Sequence, residues 1–193
     1  MFSIMQVLKP EIRADILLAS GQLFFERGYR GTTMRAVADR VGVSASNLYK
    51  YFRDKDDLFE AVVGSYALAF KSGLRRHLAH APDEETDAER IGGMVDGLAA
   101  AINADARAFS ILMTGSEASA YAGFRGECST LLSGHMEAGT AEADGAAEMV
   151  GIVVSNLLGA VVEVARRHGG TPALLPRLHL LFRYHMAGFA ALT

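Results

Sequence analysis

The sequence predicts an all-α protein of about nine helices, and three observations lead there. Apolar residues recur at spacings of three and four through most of the chain, the period of a helix with one buried face. Period-2 alternation, the mark of a half-buried strand, is almost absent. Capping residues, glycines and prolines punctuate the periodic runs at helix-length intervals.

Each element follows in order. Residues 9–27 form an amphipathic helix whose inner stripe is Ile12, Ile16, Ala19, Leu23 and Phe24, with Gly28 as a left-handed terminator. Thr32 or Thr33 caps a second helix near 34–41, with Met34, Val37, Ala38 and Val41 inside. Gly42 supplies a turn and Ser44 caps a third helix near 45–51 that turns Leu48 and Phe52 inward. Asp54, with Asp57 three residues on, opens a fourth helix in an acidic version of the capping box, running to about His77. Residues 79–86 (AHAPDEET) are the clearest boundary, and Thr86 with Glu89 opens a fifth helix over 87–103. Helical patterns follow at 105–118 and 121–138, then a loop at 139–145. The most hydrophobic helix spans 146–168 and ends on Arg166, Arg167 and His168, where the dipole favours cations. A short turn near Thr171 and Pro172 precedes a last helix at about 176–191.

Composition narrows the class. Of 193 residues, 50% are hydrophobic, enough for a large core. The net charge of −3 is unevenly spread: residues 1–53 hold 8 Lys and Arg against 4 acids, and residues 54–193 hold 11 against 18. A basic front on an acidic body suits a protein that offers one end to phosphates. The single cysteine, Cys128, allows no internal disulfide and fits a reducing compartment. The N-terminus lacks a secretory pattern, and the apolar runs fall short of the ~20 residues of a membrane span, so a cytoplasmic protein is expected.

The chemistry concentrates in residues 32–55, TTMRAVADRVGVSASNLYKYFRDK. A reader of duplex DNA needs cations and hydroxyls for phosphates, and short polar side chains at a helix tip for base edges. Thr33 and Arg35 stand at the start of the second helix, where free backbone N–H groups favour a phosphate. Ser44, Ser46 and Asn47 stand at the tip of the third, the part of such a helix that enters the major groove most deeply. Asn47 suits bidentate pairing with adenine, and Tyr49 suits a thymine methyl or a phosphate. Tyr51, Lys50 and Lys55 read as backbone clamps; a phosphate would explain a lysine in the first turn of the fourth helix. The alternative reading is that these residues are the solvated faces of a small helical subdomain.

Residues 9–62 resemble the N-terminal domain of the TetR family of bacterial transcriptional repressors. The likeness lies in FFERGYRGTTMRAVADRVGVS followed by LYKYFRDKDDLF, with the Phe-x-x-x-Gly-Tyr-x-x-Thr-Thr entry, the Ala-x-x-Val-Gly-Val-Ser turn and the Leu-Tyr-x-Tyr-Phe-x-x-Lys exit correctly spaced. The resemblance implies an obligate dimer, with its third helices in successive major grooves of a palindromic operator. It implicates Thr33, Ser44, Tyr49, Tyr51 and Lys55 as contacts. Ala45-Ser46 stands where many relatives carry a Lys-Gly pair, so base preference does not carry over. The expected division is a DNA-binding domain at 9–69, with its helix-turn-helix at about 33–52, and a regulatory and dimerisation domain at 70–193.

The likeness fades after residue 65, and the residues themselves must speak for the body. Gly151, Ser155 and Gly159 place small residues on one face of the 146–168 helix, flanked by Val154 and Leu158. A helix apolar all round must be buried, so a dimer interface is expected through this helix and the last one, including Leu178, Leu181 and Phe182. Met94, Leu98, Phe109, Met113, Tyr121, Phe124 and Cys128 suit an adaptable pocket for a small apolar or amphipathic effector. Ordinary packing explains the same residues, and Asn156, His135 and Glu163 are weaker polar candidates. Catalysis is not expected. The six histidines show no HExxH spacing, and Cys-x-x-Cys, Gly-x-Ser-x-Gly and phosphate-cradling glycine loops are missing, so neither metal nor cofactor is called for. The leading expectation is a ligand-responsive repressor; a DNA-binding architectural or partner-docking protein without an effector is the alternative.

Overall fold

The computed structural model describes residues 8–79, 86–137 and 146–189, and among them there are nine helices and no strand. They are α1 (Pro10–Gly31), α2 (Met34–Val41), α3 (Ala45–Tyr51), α4 (Lys55–Ala79), α5 (Asp87–Ala104), α6 (Ala106–Thr114), α7 (Phe124–Glu137), α8 (Ala146–His168) and α9 (Leu174–Phe189). The expected boundary at 79–86, apart from its end residues, and the expected loop at 139–145 lie outside the described residues.

Local chemistry sets the breaks. Thr33, Ser44 and Thr86 accept backbone N–H groups from Ala36, Asn47 and Glu89, and Glu89 reaches back to Thr86 to complete the capping box. Asp105 caps α6 through the Ala108 amide at 2.8 Å, a cap not foreseen. The helix expected over 105–118 stops at Thr114, because Gly115 leaves helical geometry and the Ser116 hydroxyl binds the Leu112 carbonyl at 2.9 Å. Pro176 sits in the first turn of α9, where its missing N–H costs nothing. Gly28 departs from the expected left-handed terminator: φ is +67° but ψ is 177°, an extended conformation essentially confined to glycine. One further turn, Tyr29–Gly31, follows that break.

A single core runs through the front of the chain and its body, from Ile16, Leu23, Phe24, Leu48 and Phe52 to Phe109, Leu112, Phe124 and Leu178. The helix α4 carries it across: Phe59 meets Phe24 edge-on at 4.8 Å, and Phe70 lies 5.6 Å from Phe109 and 6.0 Å from Phe124. The expected division at 69/70 therefore falls within one continuous helix. A smaller cluster joins Val150, Val154 and Leu158 of α8 to Leu132 and Met136 of α7.

Two expectations for α8 change. By length and mean hydropathy, 1.7 over Glu148–His168, it meets the requirement of a membrane span, contrary to the reading from apolar runs; it packs here against α6, α7 and α9. The face expected to meet a partner is also partly wrong. Val154, Leu158, Leu178 and Phe182 are buried within the chain, Leu181 is half-buried against the same core, and the Arg125 guanidinium of α7 lies beside Gly159. The exposed apolar side chains of these helices are instead Met149 and Ile152 on α8 and Leu175, Leu180 and Tyr184 on α9. A helix apolar all round leaves its inward side open to choice, and only packing against α7 and α9 makes that choice.

Candidate nucleic-acid interface

The turn between α2 and α3 is built from three local devices. Gly42 takes the left-handed conformation at φ 77° and ψ 28°, and its N–H and that of Val43 return to the carbonyls at the end of α2. Val37, Ala38, Leu48 and Phe52 are buried and lock the two helices together. The Ser44 hydroxyl accepts the Asn47 amide at 3.2 Å and opens α3. Geometry of this kind leaves the rest of α3 to face water.

The expected reading residues fall on that side. Ser44, Ser46, Tyr49 and Lys50 are exposed and Asn47 is half-buried; Tyr49 keeps 52% of its surface in water. Thr33 and Arg35 are exposed at the opening of α2, where Arg35 makes only a loose 3.9 Å contact with Asp39. The Thr33 oxygen accepts an amide, leaving its own proton to donate. Tyr51 is half-buried, and its hydroxyl oxygen accepts the Lys9 amide at 3.1 Å, which ties the start of α1 to the end of α3.

Lys55 departs from the expectation of a clamp waiting for phosphate. Its ammonium donates to the carbonyls of Tyr29 at 2.9 Å and Thr32 at 3.2 Å, and lies 4.0 Å over the Tyr29 ring. These partners explain a cation in the first turn of α4 without a ligand. The Tyr29 hydroxyl donates to Asp56 at 2.6 Å, and burial, then that bond, push its pKa up to about 12. Asp54 caps α4 through the Asp57 amide, as expected, but Asp57 closes on the Arg53 backbone and guanidinium rather than on the Asp54 amide. Those bonds hold the Asp57 carboxyl below the usual range.

The residues expected to line an effector pocket pack as core. Phe109, Met113, Phe124 and Cys128 are buried, and Met94, Leu98 and Tyr121 lie half-buried against the same cluster. Phe70 of α4 packs against Phe109 and Phe124 among them. Burial pushes the Cys128 thiol up to about 11, which leaves it protonated and slow to react at neutral pH. Two recesses open elsewhere: one of about 280 Å³ between α1, α4 and α6, and one of about 340 Å³ where α1 meets the ends of α6 and α8. His135, Asn156 and Glu163 are exposed, and among the described residues no cluster of three metal-ligating side chains occurs.

Sequence reasoning missed how the front of the chain is fastened to the body. The Tyr29 amide donates to the Gly115 carbonyl at 2.7 Å, and the Tyr121 hydroxyl donates to Glu60 of α4 at 2.6 Å. Neither bond has a local sequence signal.

Comparison with known proteins bears on the same stretch. The profile of the bacterial regulatory proteins of the tetR family matches residues 16–62. The HTH-type transcriptional activator FasR of Mycolicibacterium smegmatis is 30% identical over 104 residues, covering 54% of this chain and 46% of that protein. The HTH-type transcriptional repressor BepR of Brucella suis is 41% identical over 54 residues, covering 28% of this chain and 26% of that protein. The chain thus spans less than half the length of these curated relatives. A TetR-like transcriptional regulator from Rhodococcus sp. RHA1 shares the fold at a TM-score of 0.66 and 22% identity, over 96% of this chain and 99% of that one. The ketosteroid transcriptional regulator KstR2 of Mycobacterium tuberculosis does so at 0.65 and 17%, over 94% and 96%.

Proposed function

We propose that this chain, which belongs to the tetR family of bacterial regulatory proteins, is a DNA-binding transcriptional regulator, a repressor that acts in the cytoplasm as a dimer on a palindromic operator. The observation that carries the reading is the tip of α3: Ser46 and Tyr49 exposed and Asn47 half-buried at the start of a helix held from behind by Leu48 and Phe52. In this reading Ser46, Asn47 and Tyr49 meet base edges. Thr33, Arg35, Ser44, Lys50 and Tyr51 hold the phosphate backbone, and Lys55 chiefly braces the entry turn. One α3 reads only a half-site, so two copies are needed, about 34 Å apart on the duplex. The exposed faces of α8 and α9, with Ile152, Leu180 and Tyr184, are the surface we assign to the partner copy. Selection of bound sequences from random duplexes, followed by gel shifts at stated salt, tests the reading; failure to enrich any palindrome would overturn it.

A small effector is the second part of the proposal. Movement of α6 would pass to α1 through the Tyr29–Gly115 bond and alter the spacing of the two reading heads. The packed interior supports the other reading, a DNA-binding architectural or partner-docking protein without an effector. Thermal shifts with candidate ligands separate the two.

A further inference from the structure

We propose that the recess between α1 and the ends of α6 and α8 binds a small molecule through a diphosphate group, held by Arg27, Arg30 and Arg166, with its apolar part lying on Phe25. The proposal rests on the reading of the chain as a ligand-responsive regulator and gives that reading a site outside the packed interior. The recess holds about 340 Å³, the lower end of small-molecule sites and ample for a diphosphate head. Its walls bring together cations from distant parts of the sequence. Arg27 and Arg30 come from the last turns of α1, and Arg166 from the last turn of α8.

Charge in the recess is not balanced. Among the described residues Arg27 and Arg30 have neither an ion pair nor a side-chain hydrogen bond, and Arg166 makes only an exposed 3.9 Å contact with Glu163. Of the two carboxylates on the wall, Glu26 is engaged by Arg40 at 3.4 Å, so three arginines share the wall with one further carboxylate, Glu117. Arginine forks pair bidentately with phosphate oxygens, and three of them match a multiply charged head rather than a single carboxylate. Phe25 keeps 44% of its surface exposed on the same wall, an apolar platform beside the cations. A ligand here would touch both partners of the Tyr29–Gly115 bond, so its binding would bear directly on how the DNA-reading end sits on the body.

The test is titration calorimetry on the full chain with inorganic diphosphate, alongside gel shifts on the selected operator in diphosphate-free buffer. The expected result is one site per chain, with affinity at least about tenfold weaker in Arg30→Gln and Arg166→Gln and unchanged in Arg76→Gln. Saturating diphosphate should raise the Tm of the unsubstituted chain by roughly 2–8 °C. If Arg166→Gln does not fold, Arg166→Lys keeps the charge, loses the fork and should still weaken binding severalfold. No heat with the unsubstituted chain, or equal binding by the arginine variants, overturns the site. Loss of operator affinity by those variants with diphosphate binding unchanged also overturns it and gives the cations to DNA phosphates. Diphosphate binding that follows the expected pattern in a chain that binds no operator supports the site and counts against the regulator reading.

Discussion

The amide of Tyr29 donates to the carbonyl of Gly115 across 2.7 Å, joining the break in α1 to the end of α6. The two chains of backbone meet closely enough that a Cβ on Gly115 would come within 3.3 Å of the Gly28 Cα. Gly28 can turn Tyr29 toward α6 only because its φ of +67° with ψ of 177° is open to glycine. These three residues form one of the joins between the front of the chain and its body, beside the core carried by α4 and the Tyr121–Glu60 bond.

Gly28→Ala should therefore destabilise the chain by about 1–3 kcal/mol, read as a Tm drop of roughly 2–4 °C per kcal/mol. An unchanged melting curve would show that the α1 break is not strained for an ordinary residue.

Tyr49→Phe and Asn47→Ala should weaken specific operator binding by about 1–3 kcal/mol and leave Tm within about 2 °C, because neither side chain is fully buried. Arg35→Ala should instead weaken binding to all sequences and lower the slope of log K against log salt by about 1. Gel shifts across a salt series separate the two behaviours.

Lys55→Ala should act first on stability. Its ammonium serves two carbonyls and an aromatic face, so its removal should cost about 1–3 kcal/mol of unfolding free energy even without DNA. Chemical denaturation of the free protein measures this. A variant as stable as the parent but weak on DNA would restore Lys55 as a phosphate clamp.

Ile152→Asp or Leu180→Asp should produce a folded monomer in sedimentation, since both side chains are exposed on the chain alone. Leu158→Ala, at a buried position, should cost about 2–5 kcal/mol of stability whatever the oligomeric state. A dimer that survives both aspartates places the interface elsewhere.

Tyrosine titration offers a pH test. Burial and the Asp56 bond favour the neutral phenol of Tyr29, and burial and the Glu60 bond do the same for Tyr121; both reach about 12 against an ordinary 10. Below pH 10 the phenols are neutral folded or unfolded, and their contribution is fully present. Between pH 10 and 12 the unfolded chain gains ionised phenolates that the folded chain resists, so stability should fall as pH rises. Ultraviolet titration should show three late tyrosines, since burial also raises Tyr66, and Tyr29→Phe with Tyr121→Phe should leave only one of them.

The helix-turn-helix was legible because its determinants are local. Thr33, Gly42 and Ser44 act within three or four residues of themselves, and the bounds of α2 and α3 follow directly from them. The end of α6 was less legible, because Ser116 and Gly115 compete with a pattern that continues to look helical. The partner roles of Lys55 were not legible at all: its carbonyl acceptors lie 26 and 23 residues away.

The sequence by itself determined the helical class, the caps at Thr33, Ser44 and Thr86, the basic front and the exposed face of α3, since each depends on composition or on neighbours one turn apart. Only the tertiary structure decided which side of α8 and α9 faces inward, that the methionine and aromatic residues of the body close on one another, and that α1 is joined to α6. Those outcomes depend on packing between distant segments, where an apolar stripe states that it must be covered and leaves open by what.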